Sequence, residues 1–295
     1  MSLRKDKIMS LAGIDLNKLS KAELTALYNQ YLENGMHGLA FSPYEEGQEA
    51  GDQLSAEQIH RRMKIIAPYT KWIRSFSCTD GNELIPKIAK EYGLKTLVGA
   101  WLGDNADINE REIENLIRIT KEGYVDIAAV GNEVMYRKDL TEDELLAFIH
   151  QVKEAVPGTP VGYVDAYYEF SHRPRITEAC DVILANCYPY WEGCHIDYSL
   201  VYMRDMYNQA VAAANGKKVI ISETGWPSQG SNLHGAYPSA EAFMKYFINA
   251  QKWSAEDGIE MFYFSSFDEA WKVGAEGDVG AYWGIWEKDE TLKFQ

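Results

Sequence analysis

From residue 38 onward, eight short runs rich in β-branched and other apolar residues alternate with stretches of helical character: Leu39–Ser42, Trp72–Ser77, Thr96–Ala100, Ile127–Val130, Val161–Val164, Val182–Asn186, Val219–Ser222 and Met261–Ser265. Strand-then-helix alternation predicts a parallel sheet, because each crossover helix covers the face of the strands it joins. Eight such units fit a closed (β/α)8 TIM barrel better than an open doubly wound sheet, since no glycine-rich phosphate loop follows the first strand. The length of 295 residues suits one barrel of about 250 residues with additions. No internal repeat, low-complexity tract or linker argues for a second domain.

Local signals mark several helix ends. Ser55 with Gln58 and Thr141 with Glu144 have the spacing of capping boxes, and Asn109 with Glu112 follows the same logic. Gly93 and Gly216 fall where helix C-termini favour positive φ. The fifth unit must draw its helix from 169–180, which includes Pro174 and allows only a turn or two. Residues 275–295 show no helical period, so the barrel lacks a closing helix. The stretch 20–34 carries a core-facing stripe of Leu24, Leu27, Tyr28, Tyr31 and Leu32. This N-terminal helix is expected in the vacant slot between strands eight and one, which divides the chain into an extension over 1–37 and a barrel over 38–295.

Composition excludes several classes of partner. A formal net charge of −15, with no Lys/Arg run, repels phosphate backbones and argues against nucleic acid. No run of 18 apolar residues offers a membrane span. The basic start, Arg4, Lys5 and Lys7, precedes an apolar stretch too short and mixed for a signal peptide. The compartment stays open: periplasmic or secreted if a leader has been removed, cytoplasmic otherwise. Cys78, Cys180, Cys187 and Cys194 form no CxxC pair and read as buried thiols, with a Cys187–Cys194 bridge as the alternative. The aromatic share is 13 %, and aromatics gathered near strand ends point to platforms for sugar rings.

The active site of such a barrel lies at the C-terminal ends of its strands, so a carboxylate directly after a strand is a catalytic candidate. Glu133 follows strand four in 128–133, and Glu223 follows strand seven in 219–226. They are far apart in sequence, yet both strands converge on one mouth. Glycoside hydrolysis needs such a pair: one acid to protonate the leaving oxygen, one carboxylate to attack or to activate water.

The segments Gly131-Asn132-Glu133, Asn186-Cys187-Tyr188-Pro189-Tyr190, Ile221-Ser222-Glu223-Thr224-Gly225-Trp226-Pro227-Ser228 and Phe267-Asp268-Glu269-Ala270-Trp271-Lys272 resemble glycoside hydrolase family 17, the β-1,3-glucanases and their transglycosylating relatives. Trp283-Gly284-Ile285-Trp286 is similar to the end of these domains, and Phe41-Ser42-Pro43-Tyr44 with Arg74-Ser75-Phe76 resembles bacterial members. The resemblance implies a retaining enzyme with Glu133 as acid/base and Glu223 as nucleophile, acting on a β-glucan. It implies that Asn132 hydrogen-bonds the sugar 2-hydroxyl and that Glu269 and Lys272 form a polar pair beside the carboxylates, tuning their protonation. Tyr188 is then a phenol near the nucleophile or a core tyrosine. Tyr190 and Trp191 form an aglycone platform or cover a core edge. Arg74 and Tyr44 bind substrate or brace the mouth, Trp226 binds or packs, and Trp286 binds or plugs the barrel.

Only residues 191–197 separate strand six from the next helix, where plant-type members carry a longer insertion, so a shorter, more open cleft is expected. Asp104, Asp107 and Asn109 lack calcium-loop spacing and the six histidines lack metal-ligand intervals, so no metal and no cofactor is expected. A monomer is expected. The rival readings are a transglycosylase using the same two glutamates, a glucan-binding barrel without activity, and an enolase-like proton abstraction. The last requires metal-binding carboxylates on neighbouring strands.

Overall fold

The computed structural model describes residues 13–274 and 276–295; Ala275 and the basic start around Arg4–Lys7 lie outside the described residues. Eight strands pair in parallel in chain order and close on themselves: β1 (Met36–Ala40), β2 (Thr70–Ser75), β3 (Lys95–Ala100), β4 (Ile127–Asn132), β5 (Val161–Ala166), β6 (Val182–Asn186), β7 (Lys218–Thr224) and β8 (Met261–Tyr263). The closing seam pairs Gly38 with Phe262 and Leu39 with Tyr263. Gly38 is required there, because a Cβ would stand 2.5 Å from the Phe262 ring.

Alternation along the strands sorts side chains into two cores. Leu97, Ile127, Ala129, Val164, Val182, Leu184, Ile220 and Phe262 fill the barrel interior. Their sequence neighbours, such as Val98, Ala128, Val219 and Ile221, pack outward against the helices. Two strands break this period at the mouth. The β4–β5 register shifts between Ala129 and Asn132, and the β7–β8 register between Ile221 and Thr224. Such bulges re-aim side chains beside active sites. On β7 the shift lets Ser222 and Glu223 both reach partners in the mouth, while Thr224 turns outward to Tyr246 and Met203.

The helix Lys21–Glu33 starts at a capping box, Ser20 with Glu23, and buries Leu24, Tyr28 and Leu32. It packs against the helix Ala240–Asp257 that precedes β8 and touches the turn Ala67–Tyr69 that leads into β2, so it fills the slot between β8 and β1. Tyr28 meets Phe247 at 4.9 Å and the C-terminal Phe294 at 5.5 Å between ring centroids. The segment after β8 has no α-helix among the described residues, only single turns at Ala270–Val273 and Gly277–Ala281. The fifth unit has two short helices, Glu169–His172 and Pro174–Ala179.

Some local expectations need correction. The helix Ala106–Lys121 begins at Asn105, whose side chain accepts from Ile108, so Asn109 and Glu112 are interior residues. Glu112 is buried and instead accepts from Thr79 Oγ1 at 2.6 Å, Cys78 N at 2.7 Å and Trp101 N at 3.0 Å, tying the loops after β2 and β3 together. At Ser55 only half the capping box forms, because the Gln58 amide donates to Pro43 O at 2.8 Å. All four cysteines are free and buried, so the alternative bridge is not made.

Candidate active site

Glu133 follows β4 directly and sits in the left-handed region, φ 52°, with its N–H donated to Val164 O at 2.8 Å. An l-residue held there costs free energy, and the fold sustains it because the neighbouring strand fixes the peptide. Gly131, φ 84°, makes the turn that brings Asn132 and Glu133 to the mouth; a Cβ would lie 2.8 Å from Val134. Glu223 projects from the β7 bulge. Between the two stands Asn186, the last residue of β6, whose Nδ2 donates to Glu133 Oε1 at 2.8 Å and to Glu223 Oε1 at 3.2 Å. Those two oxygens are therefore no farther apart than the two bonds laid end to end, about 6 Å. The Asn186 Oδ1 accepts from Ser222 Oγ at 2.8 Å, which fixes the orientation of the amide.

Glu223 is further held by two donors. The Arg74 guanidinium pairs with its Oε1, and Tyr188 OH donates to Oε2 at 2.7 Å. Arg74, fully buried, also donates to Ser222 O at 3.1 Å and to Asn132 Oδ1 at 2.6 Å, while its guanidinium lies 4.3 Å from the Phe76 ring centroid. The Asn132 amide NH2 has no partner among the described residues, so it is open to a ligand hydroxyl. Burial raises the Glu133 carboxyl to about 7, with the Glu223 charge adding and the Asn186 hydrogen bond opposing. The result is one carboxyl that retains its proton near neutrality beside another clasped by a guanidinium, the division of labour acid–base chemistry requires.

A cleft of about 520 Å³ opens over this pair, lined by Tyr136, Tyr167, Tyr168, Trp191, Glu192, Phe264, Glu276 and Trp283, the Trp191 and Trp283 rings packing together at 5.6 Å between centroids. Trp191 is 42 % exposed and offers a face to it. Glu269 and Lys272 form a buried pair at 2.6 Å. Burial pulls the Lys272 ammonium down, and Glu269, Glu276 and Glu223 outweigh it, leaving it raised. Burial likewise raises Glu276 to about 7, with Lys272 opposing and Glu269 and Glu223 adding.

The expected residues thus divide. Glu133, Glu223, Asn132, Arg74 and Tyr188 meet directly, and Trp191 joins them at the cleft wall. Three residues with two readings take the packing one. Tyr190 is buried with its OH donated to Ser231 O at 3.0 Å. Trp226 is buried with Nε1 donated to Tyr237 O at 3.0 Å, and Trp286 bridges Phe267 and Leu292 beneath the loops. Tyr44 is buried, edge-on to Trp271 and bonded to Asn82 at 3.3 Å, bracing the loop after β1. Asn186 and Glu276 were missed. Asn186 repeats the strand-end asparagine of Asn132, a signal open to a pattern search, whereas Glu276 sits in an irregular loop with no pattern to mark it. Among the described residues no cluster of His, Cys, Asp or Glu is arranged to hold a metal.

Residues 38–284 match the model of the BtgE/BtgC glycoside hydrolase domain. The chain is 29 % identical over 262 residues to a glucan 1,3-beta-glucosidase of Candida albicans, covering 79 % of this chain and 83 % of that protein. It is 28 % identical over 273 residues to a glucan 1,3-beta-glucosidase of Saccharomyces cerevisiae, covering 83 % and 86 %. The solved glycoside hydrolase family 17 β-1,3-glucanosyltransferase of Rhizomucor miehei superposes with a TM-score of 0.79 at 30 % identity, covering 88 % of this chain and 96 % of that one. These relatives are fungal and give no support to the bacterial resemblance of the segments around Tyr44 and Arg74. With a carboxylate pair at the mouth of a closed barrel and a domain match over 38–284, the chain belongs to glycoside hydrolase family 17.

Proposed function

We propose that the protein is a retaining glycosidase that cleaves β-1,3-glucosidic bonds in a linear β-glucan, with Glu223 as nucleophile and Glu133 as acid/base. The observation that carries this reading is the single Asn186 amide nitrogen shared by both carboxylates. An Oε1–Oε1 separation of at most about 6 Å supports direct attack, for which carboxyl groups stand roughly 5–5.5 Å apart, over the roughly 6.5–9.5 Å spacing of an inverting enzyme. Glu223, oriented by Arg74 and Tyr188, attacks the anomeric carbon as Glu133 passes its proton to the departing glycosidic oxygen. Glu133, now ionised, takes a proton from the incoming hydroxyl and the glycosyl–enzyme bond breaks. Asn132, whose Oδ1 is occupied by Arg74, offers its amide NH2 to the sugar 2-hydroxyl as the family resemblance implies. All these groups come from one chain, so a single protomer carries a complete set of them and a monomer suffices for the chemistry. The family relatives named glucan 1,3-beta-glucosidase and β-1,3-glucanosyltransferase support the substrate class.

Transfer to a second sugar is the companion reading. The aromatic wall of Tyr136, Tyr167, Tyr168 and Trp191 offers an acceptor ring more apolar surface than water needs. Time-resolved mass spectrometry of products from linear β-1,3-oligosaccharides tests both. Products longer than the substrate identify transfer, and shorter products alone identify hydrolysis. Absence of any cleavage refutes the proposal. Roles are tested with activated aryl β-glucosides and azide: Glu133→Ala should yield the β-glycosyl azide and Glu223→Ala the α-glycosyl azide, and the reverse pairing would exchange the assignments.

A further inference from the structure

All eight tryptophans lie among the described residues, and only two are exposed: Trp191, in the cleft wall, and Trp101. Trp101 follows β3 at the same mouth, outside the lining of the cleft, and is 40 % exposed. Leaving so large an indole in water forfeits burial free energy that most tryptophans in this fold recover. The surroundings hold it in one place. Its backbone N–H donates to the buried Glu112 carboxylate at 3.0 Å. The Arg137 guanidinium lies 4.5 Å from the ring centroid. Arg137 has no freedom of its own: it donates through Nε to Asp139 at 2.7 Å, through one terminal nitrogen to Leu102 O at 3.0 Å and through the other to Asn132 O. The indole is therefore clamped on one side and open on the other, and its Nε1–H has no partner among the described residues.

Resting on the reading of the cleft as a β-1,3-glucan site, we propose that Trp101 is an additional stacking platform for a glucosyl unit of the same chain, remote from the cleavage point. Continuity with the cleft supports the occupant. Arg137 links Trp101 to the carbonyl of Asn132, next to the acid/base, and Tyr136, beside Arg137 in sequence, is 59 % exposed and lines the cleft. On this proposal a chain that runs along the cleft past Glu133 and Tyr136 extends to the exposed indole. The C–H face of a pyranose packs on such a ring, and a pre-held ring loses little freedom when it binds. The cation behind the indole leaves only one face for the sugar.

The test is a series of linear β-1,3-oligosaccharides from three to seven glucose units, assayed with the wild type, Trp101→Ala, Trp101→Leu and Trp101→Phe. The platform predicts that KM for the longest substrates rises about tenfold in the Ala and Leu variants. It predicts no change for the shortest, an unchanged kcat throughout, and recovery of most of the loss in Trp101→Phe. Trp101→Leu keeps bulk without a π-face, so a leucine variant equal to the wild type overturns stacking. Variants that match the wild type at every length, or lose activity equally at every length, overturn the platform. A wild type inactive on the whole series refutes the reading of the cleft itself, an outcome distinct from wild-type cleavage that ignores Trp101.

Discussion

Burial and then the Glu223 charge raise Glu133, and two further side chains adjust its working pH from opposite directions. The Asn186 hydrogen bond favours its ionised form, while the buried Asp165 carboxylate, at the end of β5, disfavours it. Asp165 also accepts from Tyr163 OH and from the N–H groups of Ala166 at 2.8 Å and Tyr136 at 3.4 Å, and Tyr163 OH accepts from Met135 N at 2.9 Å. It thereby braces the turn that follows Glu133. The acid must be protonated to act, so kcat/KM is full below its pKa and falls as pH rises through about 7. Asp165→Asn removes a negative charge and should move this basic limb to lower pH. Asn186→Ala removes a stabiliser of the carboxylate and should move it to higher pH, with kcat reduced about a hundredfold as the two carboxylates lose their common anchor. Shifts in the same direction would contradict the arrangement. Trp191→Ala should weaken oligosaccharide binding and leave thermal stability nearly unchanged, because the ring is half in solvent; a large loss of stability with full affinity would make it a packing residue.

At the level of elements, the tail after β8 is locked by one buried pair. Lys293 Nζ donates to Asp268 Oδ1 at 2.7 Å and to Ser228 Oγ at 2.9 Å, and Asp268 also accepts from Gly284 N at 2.8 Å. These bonds join the tail to the loops after β7 and β8. Breaking a buried pair by removing one partner costs about 3 kcal/mol. Urea unfolding of Lys293→Met at pH 8 should show a loss of that order, and a smaller one at pH 5.5, because burial already raises Asp268 to about 7 and protonation removes the orphaned charge. The eight strands were legible because each is a local run with its own period, and Glu133 and Glu223 because they follow such runs. The tail was not, since its order comes from contacts with the loops at Ser228 and Asp268, 65 and 25 residues before Lys293, and with Tyr28 of the N-terminal helix. Glu112 shows the same limit on a small scale. Its spacing from Asn109 matches a capping box, yet a local pattern does not record that Cys78 N and Trp101 N lie within reach. Tyr190, Trp226 and Trp286 stayed open between binding and packing for the converse reason: an aromatic at a strand end faces either the cleft or the layer below it, and only packing decides.

Across the whole molecule, acids buried at the mouth and beneath it make stability depend on pH in a defined direction. Glu133, Glu276 and Asp268 are raised to about 7 and Asp165 to about 6, all above their unfolded values. A group whose folded pKa is raised holds its proton more tightly in the native state, so its contribution is complete below the unfolded pKa and is lost as pH climbs through the folded one. The net charge of −15 adds self-repulsion that also grows with pH. Calorimetry should therefore give a higher Tm at pH 5.5 than at pH 8, and the opposite order would refute this account. The seam between β8 and β1 has a consequence of another kind, in the timing of folding. Tyr28 packs against Phe294, and Leu39 pairs with Tyr263. During synthesis at about 5–20 residues per second, the apolar stripe of the Lys21–Glu33 helix is therefore made early and waits many seconds for the partners that cover it. No stretch of chain short of β8 closes this barrel, so the nascent polypeptide carries an uncovered sticky face until the helix Ala240–Asp257 and β8 have been made, the interval in which a chaperone has most to protect.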